Sequence, residues 1–178
     1  ISATYLINCA GLYADAIAGM MGVGKDLMII PFRGEYYNLT PEARYLVMGL
    51  IYPVPDPRLP FLGAHFTKRL DGSVEAGPNA VLAFAREGYR RTSLSLTDVL
   101  GTLTYPGFWR MSALHWKTGI RETYRSLVKG RFVKSLQALV PEVRPEDLWE
   151  PDAGVRAQAV GRDGRLLQDF SIVSTGNS

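Results

Sequence analysis

GAHFTKRLDGSVEAG, residues 63–77, is the stretch whose reading decides the fold. Its first half alternates, so His65, Thr67 and Arg69 share one face while Ala64, Phe66 and Lys68 share the other. Asp71-Gly72 is a tight-turn pair, and residues 73–77 return as the second strand of an antiparallel hairpin. A histidine within a polar triplet on a short strand is unusual. Its plain reading is a hydrogen-bonded histidine at a sheet surface; its functional reading is a proton acceptor.

Upstream, residues 29–39 (IIPFRGEYYNL) alternate in the same way, with Phe32, Gly34, Tyr36 and Asn38 on one face and Arg33, Glu35, Tyr37 and Leu39 on the other. Arg33 and Glu35 then read as a local ion pair on a solvated face. Residues 45–52 form a near-continuous apolar run of strand length, which is expected to be a central strand. Pro53, Pro55, Pro57 and Pro60 remove four backbone donors and make the next segment a rigid extended crossing. Downstream, Gly77, Pro78 and Asn79 form a loop that feeds the apolar stretch 81–84 and ends near Gly88 and Tyr89.

Residues 5–10 read as a short buried strand, with Cys9 a small buried hydrophobe, and Gly11 turns the chain into a helix carrying Leu12, Ala16, Ile17 and Met20. The glycines of GMMGVG, residues 19–24, have the wrong spacing for a dinucleotide fingerprint and follow the helix, so they form a loop. From Thr104 the period changes. Trp109, Ala113, Trp116, Ile120, Tyr124 and Leu127 follow steps of four and three along a helix starting near Pro106, and the stripe is expected to be core. His115 lies beside it, at its boundary. Phe132, Val133, Leu136, Leu139 and Val140 make a second stripe ended by Pro141, and residues 145–148 form one helical turn. Residues 155–160 pair with 166–173 across Asp163-Gly164. Arg156 on a buried strand face would need an anionic partner, either Asp169 or a ligand.

The chain of 178 residues is long enough for one domain with a substantial core. With 20 Lys and Arg against 17 Asp and Glu, its net charge of +3 includes no basic run, which leaves nucleic-acid binding without electrostatic support. The longest apolar run is broken by Pro53 and falls short of the ~20 residues of a spanning helix. One cysteine and two widely separated histidines match no metal-ligand spacing, and no nucleophile elbow or phosphate loop is present. The single cysteine excludes an internal disulfide and favours a reducing compartment. What remains is a set of cationic and hydrogen-bonding side chains on strand faces, Arg33, His65, Thr67 and Arg156, suited to a small carboxylate-bearing molecule.

The strings NCAGLYAD, IIPFRGEYYNL, LIYPVPDPRLPFLGAHFTKRLDG, GPNAVLAFAREGY and GVRAQAV closely resemble the L-2-hydroxyglutarate dehydrogenases and oxidases, flavoproteins of the D-amino-acid oxidase superfamily. The resemblance runs in order from about Thr4 to Val173. It implies an α+β fold, in which an antiparallel or mixed sheet with flanking helices forms the substrate domain of a two-domain FAD enzyme. Residues 1–28 would be a late strand and helix of the FAD domain, 29–150 the substrate domain, and 151–178 a hairpin returning towards the flavin. The chain would be an internal part of the family's length, without the N-terminal GxGxxG unit and the C-terminal flavin segment.

The implied reaction is oxidation of L-2-hydroxyglutarate to 2-oxoglutarate by hydride transfer to flavin, with the electron acceptor left open. The resemblance makes His65 the base, gives Arg156 and Arg33 a carboxylate of the dicarboxylate substrate, and gives Thr67, Asn79 and Tyr89 hydrogen bonds in the pocket. Ala10 and Gly11 match the family's Ala-Gly turn near FAD. The alternatives are a superfamily oxidase acting on an amino acid or on glycerol 3-phosphate, and a non-catalytic folded part, either inert or an interaction module that needs a partner chain. The expected address is the cytoplasm, with attachment to a membrane surface left open for the longer protein.

Overall fold

A computed structural model describes residues 4–54 and 63–174. Of the prolines expected to stiffen a crossing, Pro55, Pro57 and Pro60 lie outside the described residues. The chain divides into two compact units: Ile1–Phe32, Ala83–Leu114 and Arg156–Ser178 form the first, and Arg33–Leu82 with His115–Val155 form the second. The fold is α+β, with helices beside a predominantly antiparallel sheet.

The six strands are β1 (Leu27–Leu39), β2 (Leu50–Ile51), β3 (His65–Lys68), β4 (Val74–Gly77), β5 (Val81–Leu82) and β6 (Leu148–Gly161), and the sheet order is β2-β3-β4-β1-β5 with β6 also on β1. The Asp71-Gly72 turn sets the register of the β3–β4 hairpin, placing His65 opposite Gly77, Phe66 opposite Ala76 and Thr67 opposite Glu75. Gly72 takes φ +82°, the left-handed conformation that the turn requires. Because β1 continues the sheet with Tyr37 opposite Ala76, alternate residues of three strands fall on the same face. Phe66, Val74 and Ala76 are fully buried on one side, whereas His65 and Thr67 stand on the other, half-buried.

The inward face of the second unit packs against α4 (Lys129–Gln137). Phe66, Val74, Ala76 and Leu39 meet Phe132, Val133, Leu136, Val140 and Val143 in one core, so the second helical stripe is buried as its period requires. Truncating Phe66 in such a packed site costs about 3–5 kcal/mol. The expected helical turn after Arg144 is present at Pro145–Asp147, and Thr40 N–H donates to the Asp147 carbonyl at 2.8 Å.

In the first unit, α1 (Ala14–Met20), α2 (Leu96–Thr104) and the start of α3 (Pro106–Leu127) accompany the beginning of β1. Ser95 caps α2 by accepting from Asp98 N–H at 3.3 Å, and Pro106 opens α3 where no intrahelical donor is needed. A Cβ at Gly107 would lie 2.2 Å from the Gly161 carbonyl oxygen, so only glycine permits that approach. The Tyr105 hydroxyl reaches the carbonyls of Asp26 and Val160 at 3.0 and 2.9 Å, and burial raises its pKa above the ordinary phenol value.

Four sequence expectations change. Residues 5–10 form no strand, and Tyr5, Ile7 and Cys9 are exposed; among the described residues no strand pairs with them, so nothing buries the apolar run. The run 45–52 is not a central strand. Pro41 opens a 3-10 segment to Leu46 from which Ala43 and Val47 turn into the core, and only the two residues of β2 reach the sheet, at its edge. The Asp163-Gly164 turn forms, but beyond the Val160–Leu166 bridge the returning segment is not a strand. The aromatic stripe of α3 faces solvent for most of its length, with Trp109, Trp116, Ile120, Tyr124 and Leu127 all exposed, and the helix departs from helical backbone angles at His115 (φ −116°, ψ 15°).

Candidate active site

His65 and Thr67 project from β3 into a cavity of about 310 Å³ lined also by Tyr36, Arg69, Glu75, Asp152, Ala153 and Gly154, all residues of the second unit. The hairpin register brings Glu75 beside Thr67, and β1 brings Tyr36 to the same face. His65 Nδ1 lies 3.1 Å from the Gly63 carbonyl oxygen, and its ring stacks on Tyr52 with centroids 4.2 Å apart and planes at 24°. A carbonyl can only accept, so Nδ1 carries the hydrogen and the neutral ring keeps its lone pair on Nε2. The Tyr52 hydroxyl is 3.3 Å from Thr67 Oγ1, which ties the stacking ring to the second candidate on β3. Arg69 donates to Glu75 Oε1 at 2.5 Å, and that contact pushes the guanidinium pKa further above its ordinary value.

Arg33 and Asn79 belong to a different cluster of the same unit. Arg33 Nη2 donates to Glu35 Oε1 at 3.1 Å, and Asn79 Nδ2 and Ser126 Oγ donate to Glu35 Oε2 at 2.8 and 2.5 Å. Asn79 Oδ1 in turn accepts from Glu35 N–H at 2.8 Å. The ion pair read from the alternation is real, but it is buried, with Arg33 and Glu35 only 7% and 6% exposed. The solvated-face reading therefore fails. That strand face points inward because Leu39, two steps beyond Tyr37 on the same face, is core.

The first unit holds the other candidates. Arg156 is exposed on β6, so the argument from burial does not apply to it; Gln158, on the same face, is buried and donates to the Leu167 carbonyl at 2.9 Å. Tyr89 is exposed after a turn in which its N–H reaches the Glu87 carbonyl. Ala10 and Gly11 form an exposed turn, with Gly11 at φ +53° and no atom within 4 Å of a Cβ built there. Asn8 closes the turn, accepting from Ala10 N–H at 3.1 Å and donating to the Ala14 carbonyl at 2.8 Å.

Three comparisons with known proteins bear on this arrangement. The FAD dependent oxidoreductase (DAO) family matches residues 1–172. The chain belongs to that family. It is 52% identical over 99% of its length to L-2-hydroxyglutarate dehydrogenase of Indibacter alkaliphilus, covering 45% of that protein. It is 49% identical to the human mitochondrial L-2-hydroxyglutarate dehydrogenase over 96% of its length, covering 37% of that protein. With the Escherichia coli K12 protein of the same name the figures are 47%, 97% and 41%. The chain therefore spans less than half the length of these relatives. Among solved structures, L-alpha-glycerophosphate oxidase of Mycoplasma pneumoniae with FAD bound is similar, with a TM-score of 0.54 over 86% of this chain and 31% of that one; at 19% identity it shows the fold alone.

The Ala10–Gly11 turn presents bare backbone with open space beside it, where a flat group can approach. Arg86 braces this turn: it donates to the Leu12 carbonyl and to both Asp15 carboxylate oxygens, at 2.6 and 2.9 Å, and its own N–H donates to Asp98 at 2.9 Å. The Asp15 contact holds the Arg86 pKa above its ordinary value. Among the described residues no cluster of histidine, cysteine and carboxylate side chains could hold a metal, and no helix is long and apolar enough to cross a membrane.

Sequence reasoning missed Tyr36, Glu75 and Asp152 at the cavity, Tyr52 stacked on His65, Ser126 beside Glu35, and the Arg86 brace. Glu75 was within reach, since a turn at Asp71-Gly72 places it opposite Thr67. Asp152 and Ser126 come from distant segments and carried no local signal.

Proposed function

We propose that the longer protein containing this chain is an FAD-dependent dehydrogenase that oxidises L-2-hydroxyglutarate to 2-oxoglutarate, and that this chain supplies its proton acceptor. The observation that supports the reading is near 50% identity, along almost the whole chain, to proteins named for that reaction. Bound FAD supplies acceptance of the hydride from the substrate's C2. His65 Nε2 takes the hydroxyl proton, its Nδ1–H held by the Gly63 carbonyl and its ring plane held by Tyr52. Thr67 offers a hydroxyl in the same cavity. Arg33 and Asn79 are engaged with Glu35, so we give them the holding of β1 and the loop after β4 in place of substrate contact. The carboxylate role of Arg156, the hydrogen-bonding role of Tyr89 and the cofactor-side role of Ala10 and Gly11 stand on the family resemblance. The single cysteine, Cys9, supports a reducing cytoplasmic address.

The test uses the full-length protein. Purified with its flavin and mixed without oxygen, it is expected to bleach with L-2-hydroxyglutarate and to stay yellow with D-2-hydroxyglutarate. Bleaching by glycerol 3-phosphate or an amino acid, with none by the L acid, would overturn the substrate assignment.

A further inference from the structure

The cavity at His65 holds an arginine that proton transfer alone does not need. Among the described residues Arg69 is the only Arg or Lys lining it, together with the carboxylates of Glu75 and Asp152. Arg33 is closed into the Glu35 cluster and Arg156 belongs to the first unit, so neither is part of this wall.

Two backbone contacts fix where the Arg69 side chain starts. Its N–H donates to the Ser73 carbonyl at 2.8 Å and its carbonyl accepts from Gly72 N–H at 3.0 Å, so the residue closes the hairpin just past the end of β3. The side chain then leans back along the strand. Its Nη2 donates to Glu75 Oε1 at 2.5 Å, and Glu75 stands opposite Thr67, midway between His65 and Arg69. At ~3.3 Å per residue, this draws the guanidinium to a level ~7 Å from His65 along β3. An extended five-carbon dicarboxylate, with C–C bonds of ~1.5 Å, holds its carboxyl carbons ~5 Å apart, and a hydrogen bond adds ~2.9 Å. The spacing suits a molecule whose reacting hydroxyl meets His65 while its far carboxylate meets Arg69.

Arg69 is also loosely held. Its side chain is 57% exposed, whereas that of its partner Glu75 is 17% exposed. Nη2 engages one oxygen of Glu75, and the planar fork of a guanidinium has donors enough to take a second carboxylate beside the first. With His65 neutral, Glu75 and Asp152 leave the wall one negative charge in excess. Such a wall attracts no anion by net charge; a ligand carboxylate is stabilised there only by taking donors of the fork, and a methyl group at that point takes none.

We propose that Arg69 is the specificity-determining residue for a dicarboxylate: its guanidinium, oriented by Glu75, binds the carboxylate distal to the reacting carbon. The inference rests on His65 being the proton acceptor for a 2-hydroxy acid, and adds which acids the cavity accepts.

The test is calorimetric titration of the full-length flavoprotein with glutarate, which has both carboxylates and no hydroxyl to oxidise, and with butyrate, which lacks the distal carboxylate. Wild type is expected to bind glutarate the tighter. Arg69→Gln is expected to weaken glutarate roughly 10- to 100-fold and to leave butyrate unchanged, with the unfolding midpoint in place. Arg69→Lys is expected to recover part of the loss, since it restores the charge without the fork. In turnover, Arg69→Gln is expected to raise the KM for L-2-hydroxyglutarate by a similar factor, with kcat within about twofold of wild type. Unchanged glutarate binding in Arg69→Gln overturns the role of Arg69 while the substrate reading stands. Equal weakening of glutarate and butyrate, or a lowered unfolding midpoint, makes Arg69 a structural residue and overturns it too. If the wild-type flavin is not reduced by L-2-hydroxyglutarate, the substrate reading falls and this inference with it.

Discussion

The His65 cavity and the Glu35 cluster lie in the same unit and draw on the same sheet, yet one is open and the other closed. Both contain a carboxylate facing an arginine: Glu75 with Arg69, and Glu35 with Arg33. Around Glu35 the partners converge from β1, α3 and the loop after β4, and the two oxygens accept from Arg33, Asn79 and Ser126. Around His65 the contacts among the described residues engage Nδ1 and the ring face and not Nε2, and the exposed Arg69 remains in reach of solvent. A closed cluster of buried charge serves stability and alignment, whereas an open cluster with one oriented lone pair can do proton chemistry.

The contrast can be broken by substitution, with stability read from denaturant unfolding of the full-length protein. Glu35→Ala removes the acceptor shared by Arg33, Asn79 and Ser126 and is expected to cost about 3–5 kcal/mol; a loss below about 1 kcal/mol would show that the cluster is not structural. Ser126→Ala deletes one hydrogen bond to a charged acceptor, an expected loss of about 1.5–3 kcal/mol. Tyr52→Phe keeps the stack on His65 and loses only the Thr67 contact, so about 0.5–1 kcal/mol is expected, with flavin still reduced. If Tyr52→Phe proves costlier than Ser126→Ala, the open cluster is the structural one and the comparison reverses.

The smallest effect concerns the turn that carries the cavity strands. Ser73 donates to Asp71 from both its side chain and its backbone, lowering the carboxyl pKa below the ordinary 3.8. A depressed folded-state pKa contributes stability above the unfolded value and loses it as pH falls through the folded one. Asp71→Ala should therefore melt slightly lower at neutral pH, and the difference should close in acid below about 3.8; melts recorded across that range check it.

The hairpin was legible because its turn and its alternation agree, and with it came the face shared by His65 and Thr67. Where local pattern and partner disagree, sequence misleads. Residues 45–52 look like a buried strand, but Pro41 starts a helical turn; Ala43 and Val47 are buried in the core and Leu46 and Ile51 pack against it partly buried. The α3 stripe follows a helical period faithfully, and period alone cannot say which face is inside; Glu35 and Ser126 decide that from opposite ends of the unit. Arg33 and Glu35 were correctly paired, and only their burial needed tertiary knowledge.

The most direct measurement is single-turnover reduction of the bound flavin by L-2-hydroxyglutarate in full-length His65→Gln, with unfolding followed on the same sample. The account predicts that reduction slows by roughly 10²–10⁴-fold while the unfolding midpoint stays in place. Reduction at the wild-type rate, or a loss of rate that tracks a loss of fold, would contradict it.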